Sequence, residues 1–225
     1  MTHRKENMEA YCLVRLLGIN NLSNPAPCRR NGNNMNMYDV FNSTKEYFAG
    51  KKAIIFDMDG TLVDSMNYWY SKHLWSMPTA EERAESMSKK YIVSISPKVY
   101  AIELCKALKD AGIPFCIATN TSFAMAEPML KKYGFDKLYD FYIDCDDVGA
   151  PKTSPDIYYA AAERLGCNIE EIVVFEDMPQ SARTAKQAGF CVVGVYDEIS
   201  KDSIPEMRKM CDDFIYNFLH IMKQK

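Results

Sequence analysis

From Lys51 onward, short and almost continuously apolar runs alternate with segments whose apolar residues recur at helical spacing. The runs Ala53–Phe56, Phe115–Ala118, Phe141–Ile143, Ile172–Phe175 and Cys191–Val195 predict strands buried on both faces, because a strand with one wet face would alternate apolar and polar residues. Between them, about Pro97–Ala111, Ser122–Tyr133, Pro155–Leu165 and Pro179–Ala188 predict helices. Gly112, Gly134, Gly166 and Gly189 follow these four as C-terminal stops. Ser154 before Pro155-Asp156 reads as an N-cap followed by proline at the first helical position. Strand–helix repeats of this length predict an α/β fold, a doubly wound parallel sheet with right-handed connections and helices on both faces. In such a sheet the ligand site lies beyond the C-terminal ends of the strands.

Two segments fall outside the repeat. Residues 1–50 form an N-terminal extension, in which Asn20–Asn36, rich in Asn, Pro and Arg, reads as linker or disorder and Tyr38–Phe48 as a helix packed on the domain. Residues 51–225 form the core domain, interrupted at about 66–96 by a short helical cap insertion. In that insertion Met66, Trp69, Tyr70, His73, Leu74 and Met77 recur at helical spacing, and Glu81–Lys90 reads as a charged second helix. An aromatic helix face of this kind is assigned to packing before substrate contact.

Composition narrows the class of partner. A formal net charge of −3 gives no basic footprint, so neither nucleic acid nor an anionic membrane is expected as a partner. No apolar run approaches the roughly 20 residues that span a bilayer. Ala10–Ile19 is short and broken by Arg15, and is not read as a signal peptide. The eight cysteines contain no C-x-x-C pair, and Cys116, Cys145 and Cys191 lie in apolar strand-like runs. Reduced thiols in a cytoplasmic protein are the expectation. His3, His73 and His220 are too scattered for a histidine metal site.

The chemistry stands at the strand ends. The first strand delivers Asp57 and Asp59, then Gly60-Thr61; the second delivers Thr119-Asn120-Thr121-Ser122; Lys152 follows the third; Glu176-Asp177 follow the fourth. Acids at the end of a buried strand are costly unless paired or metal-bound. Four carboxylates suit a hard dication with oxygen ligands, and Mg²⁺ fits a site that also accepts a phosphate oxygen. Such a cation and Lys152 would neutralise a phosphoryl group, and Thr119 would hold another of its oxygens. Asp57 could then attack phosphorus, with Asp59 as general acid and base.

With D-x-D-G-T at Asp57–Thr61, Thr119 after the second strand, Lys152-Thr153-Ser154-Pro155-Asp156 before the third crossover helix and Glu176-Asp177 after the fourth strand, the chain resembles the haloacid dehalogenase-like (HAD) hydrolases. The match is closest to their β-phosphoglucomutase-like phosphatase branch and covers about residues 51–219. The resemblance implies a Rossmann-like core. It implies Asp57 as nucleophile and metal ligand, and Asp59 as general acid/base and main-chain carbonyl ligand. Thr119, Asn120 and Lys152 would bind phosphate, and Asp177 with Glu176 would complete a Mg²⁺ site. An acid at Asp59 argues for phosphate-ester chemistry over dehalogenation.

The insertion departs from this pattern: it is shorter than the branch's usual caps, and Thr153 stands where the family usually has proline. A mutase must shield its phosphorylated intermediate from water, so a stub cap favours hydrolysis over isomerisation. The expected enzyme is a Mg²⁺-dependent phosphatase of a small, sugar-phosphate-like metabolite. A β-phosphoglucomutase-like isomerase and a non-catalytic binding protein are the alternatives. The partner is a small-molecule phosphoester, and monomer or homo-oligomer is left open. A response-regulator receiver is excluded by order, since there the acid pair precedes the lysine.

Overall fold

In the computed structural model, residues 37–42, 45–70 and 91–222 are described. Six strands form one parallel sheet in the order β5-β4-β1-β6-β7-β8. They are β1 (Ala53–Phe56), β4 (Phe115–Thr119), β5 (Phe141–Asp144), β6 (Ile172–Glu176), β7 (Cys191–Val195) and β8 (Asp213–Ile215). All five predicted strands are present, three of them one residue longer: Thr119 and Glu176 so added reach the site, while Asp144 caps the short helix that follows. β1 lies at the centre because it is apolar on both faces. Ile54 and Phe56 pack into one core with Phe115, Ile117 and Phe175, while Ala53 and Ile55 pack into the other with Cys116, Val174 and Ile157. The sheet is doubly wound, as expected. The chain builds outward from β1 through β4 to β5, then returns to β1's other side with β6, which places a topological switch at β1.

The predicted helices are found at Ala101–Asp110, Phe123–Tyr133, Asp156–Leu165 and Pro179–Gln187. The first starts four residues late because Lys98–Tyr100 turns, with Tyr100 at φ 65°. Ser154 is not an N-cap. The helix begins at Asp156 with Pro155 in the cap position, and the Ser154 hydroxyl donates to the Asp156 carboxylate instead. Cys145 lies beyond the end of β5, opening a short helix Cys145–Val148. No described cysteine is joined in a disulfide; Cys12 and Cys28 lie outside the described residues.

Tyr38–Phe48 is not one helix. Met37–Val40 is a single turn and Glu46–Phe48 a 3₁₀ turn. Both are fastened to the core: Phe41 bridges to Met222 and stacks on Phe48 at 3.9 Å, and the Lys45 ammonium meets Asp213 at 2.6 Å. A two-stranded flap of β2 (Val63–Asp64) and β3 (Ser96–Pro97) flanks the insertion. Most of the predicted cap helices, 71–90, lies outside the described residues, as does Asn20–Asn36. Among the described residues no helix is long and apolar enough to cross a membrane.

Candidate active site

Strand register sets the site. Phe56 of β1 lies opposite Phe175 of β6 and Ile117 of β4, so the next residues, Asp57, Glu176 and Ala118, emerge at one level. The Asp57 N–H donates to the Phe175 carbonyl at 3.0 Å, which carries the strand pairing one residue past β1. The chain then turns through Gly60 at φ 84°, where the Gly60 N–H donates to the Val63 carbonyl at 2.8 Å. Glycine is required here twice over. The conformation disfavours a side chain, and a Cβ would stand 2.2 Å from Asp177 Oδ2.

Asp57, Glu176 and Asp177 bring carboxylate oxygens within 4.8 Å of one another, all at 7% exposure or less. Lys152 is inserted among them, 2% exposed. Its ammonium donates to Asp57 Oδ1 at 2.6 Å and to the Ala118 carbonyl at 2.8 Å, and meets Glu176 Oε1 at 2.5 Å. The Tyr158 hydroxyl donates to the same Glu176 oxygen at 2.7 Å. Thr61 Oγ1 reaches Asp177 Oδ1 at 3.3 Å, while Asp177 Oδ2 is buried without a hydrogen-bond partner. Beside it, Asp197 is paired with Lys98 at 2.6 Å.

Three carboxylates against one ammonium leave two negative charges uncompensated when all are ionised. Each close pair of like charges costs on the order of 3 kcal/mol at an effective dielectric of 20. The site shows that burden. Burial pushes the Asp57 carboxyl up to about 7, with Lys152 pulling down and Glu176 and Asp59 adding to the rise. Asp177 is raised well above the usual range by burial, then by Asp57, Glu176 and Asp197. Burial alone would lower Lys152, but Asp57 and Glu176 outweigh it and hold the ammonium charged. An all-oxygen donor set, an orphaned buried Asp177 oxygen and an uncompensated double negative charge fit a divalent cation such as Mg²⁺.

The other residues expected at the site are placed unequally. Thr119 is buried at the end of β4, where its Oγ1 accepts the Thr121 N–H at 3.2 Å and keeps its hydroxyl proton for another acceptor. Asn120 is exposed, its Oδ1 met by the Cys145 thiol at 2.8 Å and the Lys152 N–H at 3.4 Å. Asp59 turns toward the insertion. Its Oδ1 accepts from Ser65 (2.6 Å), Trp69 Nε1 (2.9 Å) and Tyr91 (2.7 Å), and its Oδ2 from Thr121 (2.6 Å). Thr61, Tyr158, Tyr91 and Thr121 were not singled out from the sequence as site residues, and Trp69 was read as packing before substrate contact. Thr61, Thr121 and Tyr158 lay inside the recognised motif strings, while Tyr91 carried no signal there.

A family model described as haloacid dehalogenase-like hydrolase matches residues 79–189, a stretch holding Thr119, Lys152, Glu176 and Asp177. Over that stretch the chain is similar to the haloacid dehalogenase-like hydrolases. It is 27% identical over 177 residues to a phosphorylated carbohydrates phosphatase of Thermotoga maritima, covering 61% of this chain and 82% of that protein. It is 27% identical over 179 residues to hexitol phosphatase A of Escherichia coli, covering 64% and 82%. A Thermotoga maritima protein assigned as a β-phosphoglucomutase shares the fold, with a TM-score of 0.62, 23% identity and coverage of 73% of this chain and 94% of that one. Both curated relatives are named as phosphatases, and the solved structure shares this chain's fold.

Proposed function

We infer that this protein removes phosphate from a small phosphorylated metabolite of the sugar-phosphate kind, in a Mg²⁺-dependent reaction with Asp57 as the nucleophile. One observation carries the reading: Asp57 ends the central strand within reach of two further buried carboxylates and a buried lysine. Asp57, Asp177 and the Asp59 main-chain carbonyl would hold the cation. Glu176, tied at Oε1 by Lys152 and Tyr158, would offer it only its other oxygen or act by holding Lys152 in place. When bound, Mg²⁺ supplies the positive charge that lets a phosphate dianion approach carboxylates.

The chain's own residues do the rest. Thr119 and Asn120 bind phosphoryl oxygens, and Lys152 neutralises them. An Asp57 oxygen forms a bond to phosphorus as the bond to the ester oxygen breaks, and Asp59 gives that leaving oxygen its proton. Water then attacks the same phosphorus, the Asp57–phosphorus bond breaks, and the water's proton returns to Asp59. About 30 residues separate the two flap strands, a short cover for an intermediate that must avoid water, so we favour hydrolysis over isomerisation. The names of the two phosphatases above support a carbohydrate or polyol ester. The six described cysteines, none of them in a disulfide, suit a cytoplasmic setting.

Phosphate release from 4-nitrophenyl phosphate and a panel of sugar phosphates tests this, with and without Mg²⁺, for the natural chain and Asp57→Asn. Activity that needs the metal and disappears in the variant is expected. Metal-independent turnover, or turnover that survives Asp57→Asn, refutes the mechanism.

A further inference from the structure

The four hydrogen bonds on Asp59 are divided unevenly, three on Oδ1 and one on Oδ2. A carboxylate oxygen has about two lone-pair sites, so Oδ1 is saturated while Oδ2 keeps one open. Two of the three donors on Oδ1 come from the insertion. The Trp69 indole N–H can only donate, and the Tyr91 phenol belongs to a ring that is fully buried. These rings are themselves braced: Tyr68, Trp69 and Tyr91 pack with centroids 5.5–5.8 Å apart, steeply inclined to one another. The donor on Oδ2 comes instead from the end of β4, from Thr121, whose N–H binds Thr119 Oγ1. Oδ2 thus faces the strand end assigned to phosphate, and Oδ1 faces the insertion.

We propose that Trp69 and Tyr91 are positioning residues that anchor Oδ1 of Asp59, leaving Oδ2, steadied by Thr121, as the oxygen that exchanges protons with the phosphoester. This rests on the reading of Asp59 as acid and base. The proton on Oδ2 passes to the ester oxygen as the phosphorus–oxygen bond to the leaving alcohol breaks. The proton of the attacking water restores it. Trp69 and Tyr91 of the insertion are therefore part of the proton-transfer apparatus. A shortened insertion keeps that role even where it has little surface left to recognise a substrate.

The test compares sorbitol 6-phosphate, whose alkoxide leaving group needs a proton, with 4-nitrophenyl phosphate, whose leaving group does not. General acid catalysis is worth about 10²–10⁴-fold, and a misplaced acid forfeits part of it. Trp69→Phe and Tyr91→Phe should each lower kcat/KM for the alkyl ester by about tenfold or more, and that for the aryl ester by less than about twofold, with KM little changed. In an Asp59→Asn background neither substitution should lower alkyl-ester turnover further, since both act through that carboxylate. Trp69 is only half-buried, so its variant tests the idea even if Tyr91→Phe unfolds. Equal losses on both esters, losses that add in the Asp59→Asn background, or no loss at all would overturn the positioning role. Asp59→Asn retaining full alkyl-ester activity would overturn the reading of Asp59 itself, and so separates the two failures.

Discussion

Replacing Lys152 by methionine keeps the volume of the side chain and removes its charge. The ammonium is 2% exposed, and its three donors meet three acceptors: Asp57, Glu176 and the Ala118 carbonyl. Removing one partner from a buried ion pair leaves an uncompensated charge and costs about 3–5 kcal/mol. In a domain of this size each kcal/mol moves Tm by about 2–4 °C, so Lys152→Met should melt roughly 6–20 °C below the natural chain at pH 8 without metal. Glu176 retains the Tyr158 hydroxyl, so the loss falls mainly on Asp57. That carboxyl is pushed up to about 7 even with Lys152 beside it, and losing the lysine's pull raises it further. It can therefore take up a proton as pH falls and relieve the strain. The deficit should shrink at pH 5.5. Differential scanning calorimetry at both pH values measures it. A variant within about 2 °C of the natural chain at pH 8, or a deficit that grows at pH 5.5, refutes the account of charge balance.

Other predictions follow from the same site. Gly60→Ala places a Cβ 2.2 Å from Asp177 Oδ2 at a φ of 84°, so it should cost at least about 1–2 kcal/mol and weaken Mg²⁺ binding more than about tenfold. Isothermal titration with Mg²⁺ checks this, and unchanged affinity would contradict the assigned role of Asp177. In the metal-free protein the native Asp57 keeps its proton at pH values where the unfolded chain has lost it. The folded state then binds more protons, so this group makes stability fall as pH rises from about 4 to about 7. Mg²⁺ must displace that proton, so its stabilising effect on Tm should grow from pH 5.5 to pH 8; a flat or reversed trend counts against Asp57 as a ligand.

The sheet was legible where burial on both faces wrote itself into continuous apolar runs such as Ala53–Phe56 and Ile172–Phe175. β8 escaped because Asp213–Ile215 is an edge strand with one neighbour and only Ile215 buried, which leaves no run to read. The flap escaped because it pairs two residues with two others more than thirty positions away, and the pairing belongs to the tertiary structure. Among the candidate site residues, the acids and Lys152 could be singled out because each follows a recognisable strand. Trp69 and Tyr91 could not. At helical spacing an aromatic residue looks the same whether its N–H or O–H meets solvent or a carboxylate, and only the fold brings Asp59 to them. Tyr158 was hidden in the same way on the buried face of its helix.

The central claim is that Asp57 carries the phosphoryl group between the two half-reactions. Rapid acid quenching of the enzyme during turnover with Mg²⁺ and a phosphoester, followed by peptide mass spectrometry, tests it most directly. A phosphoryl adduct on Asp57, absent without substrate and absent from Asp57→Asn, is the predicted result. An adduct on another residue, or none at any time while product is still forming, would contradict it.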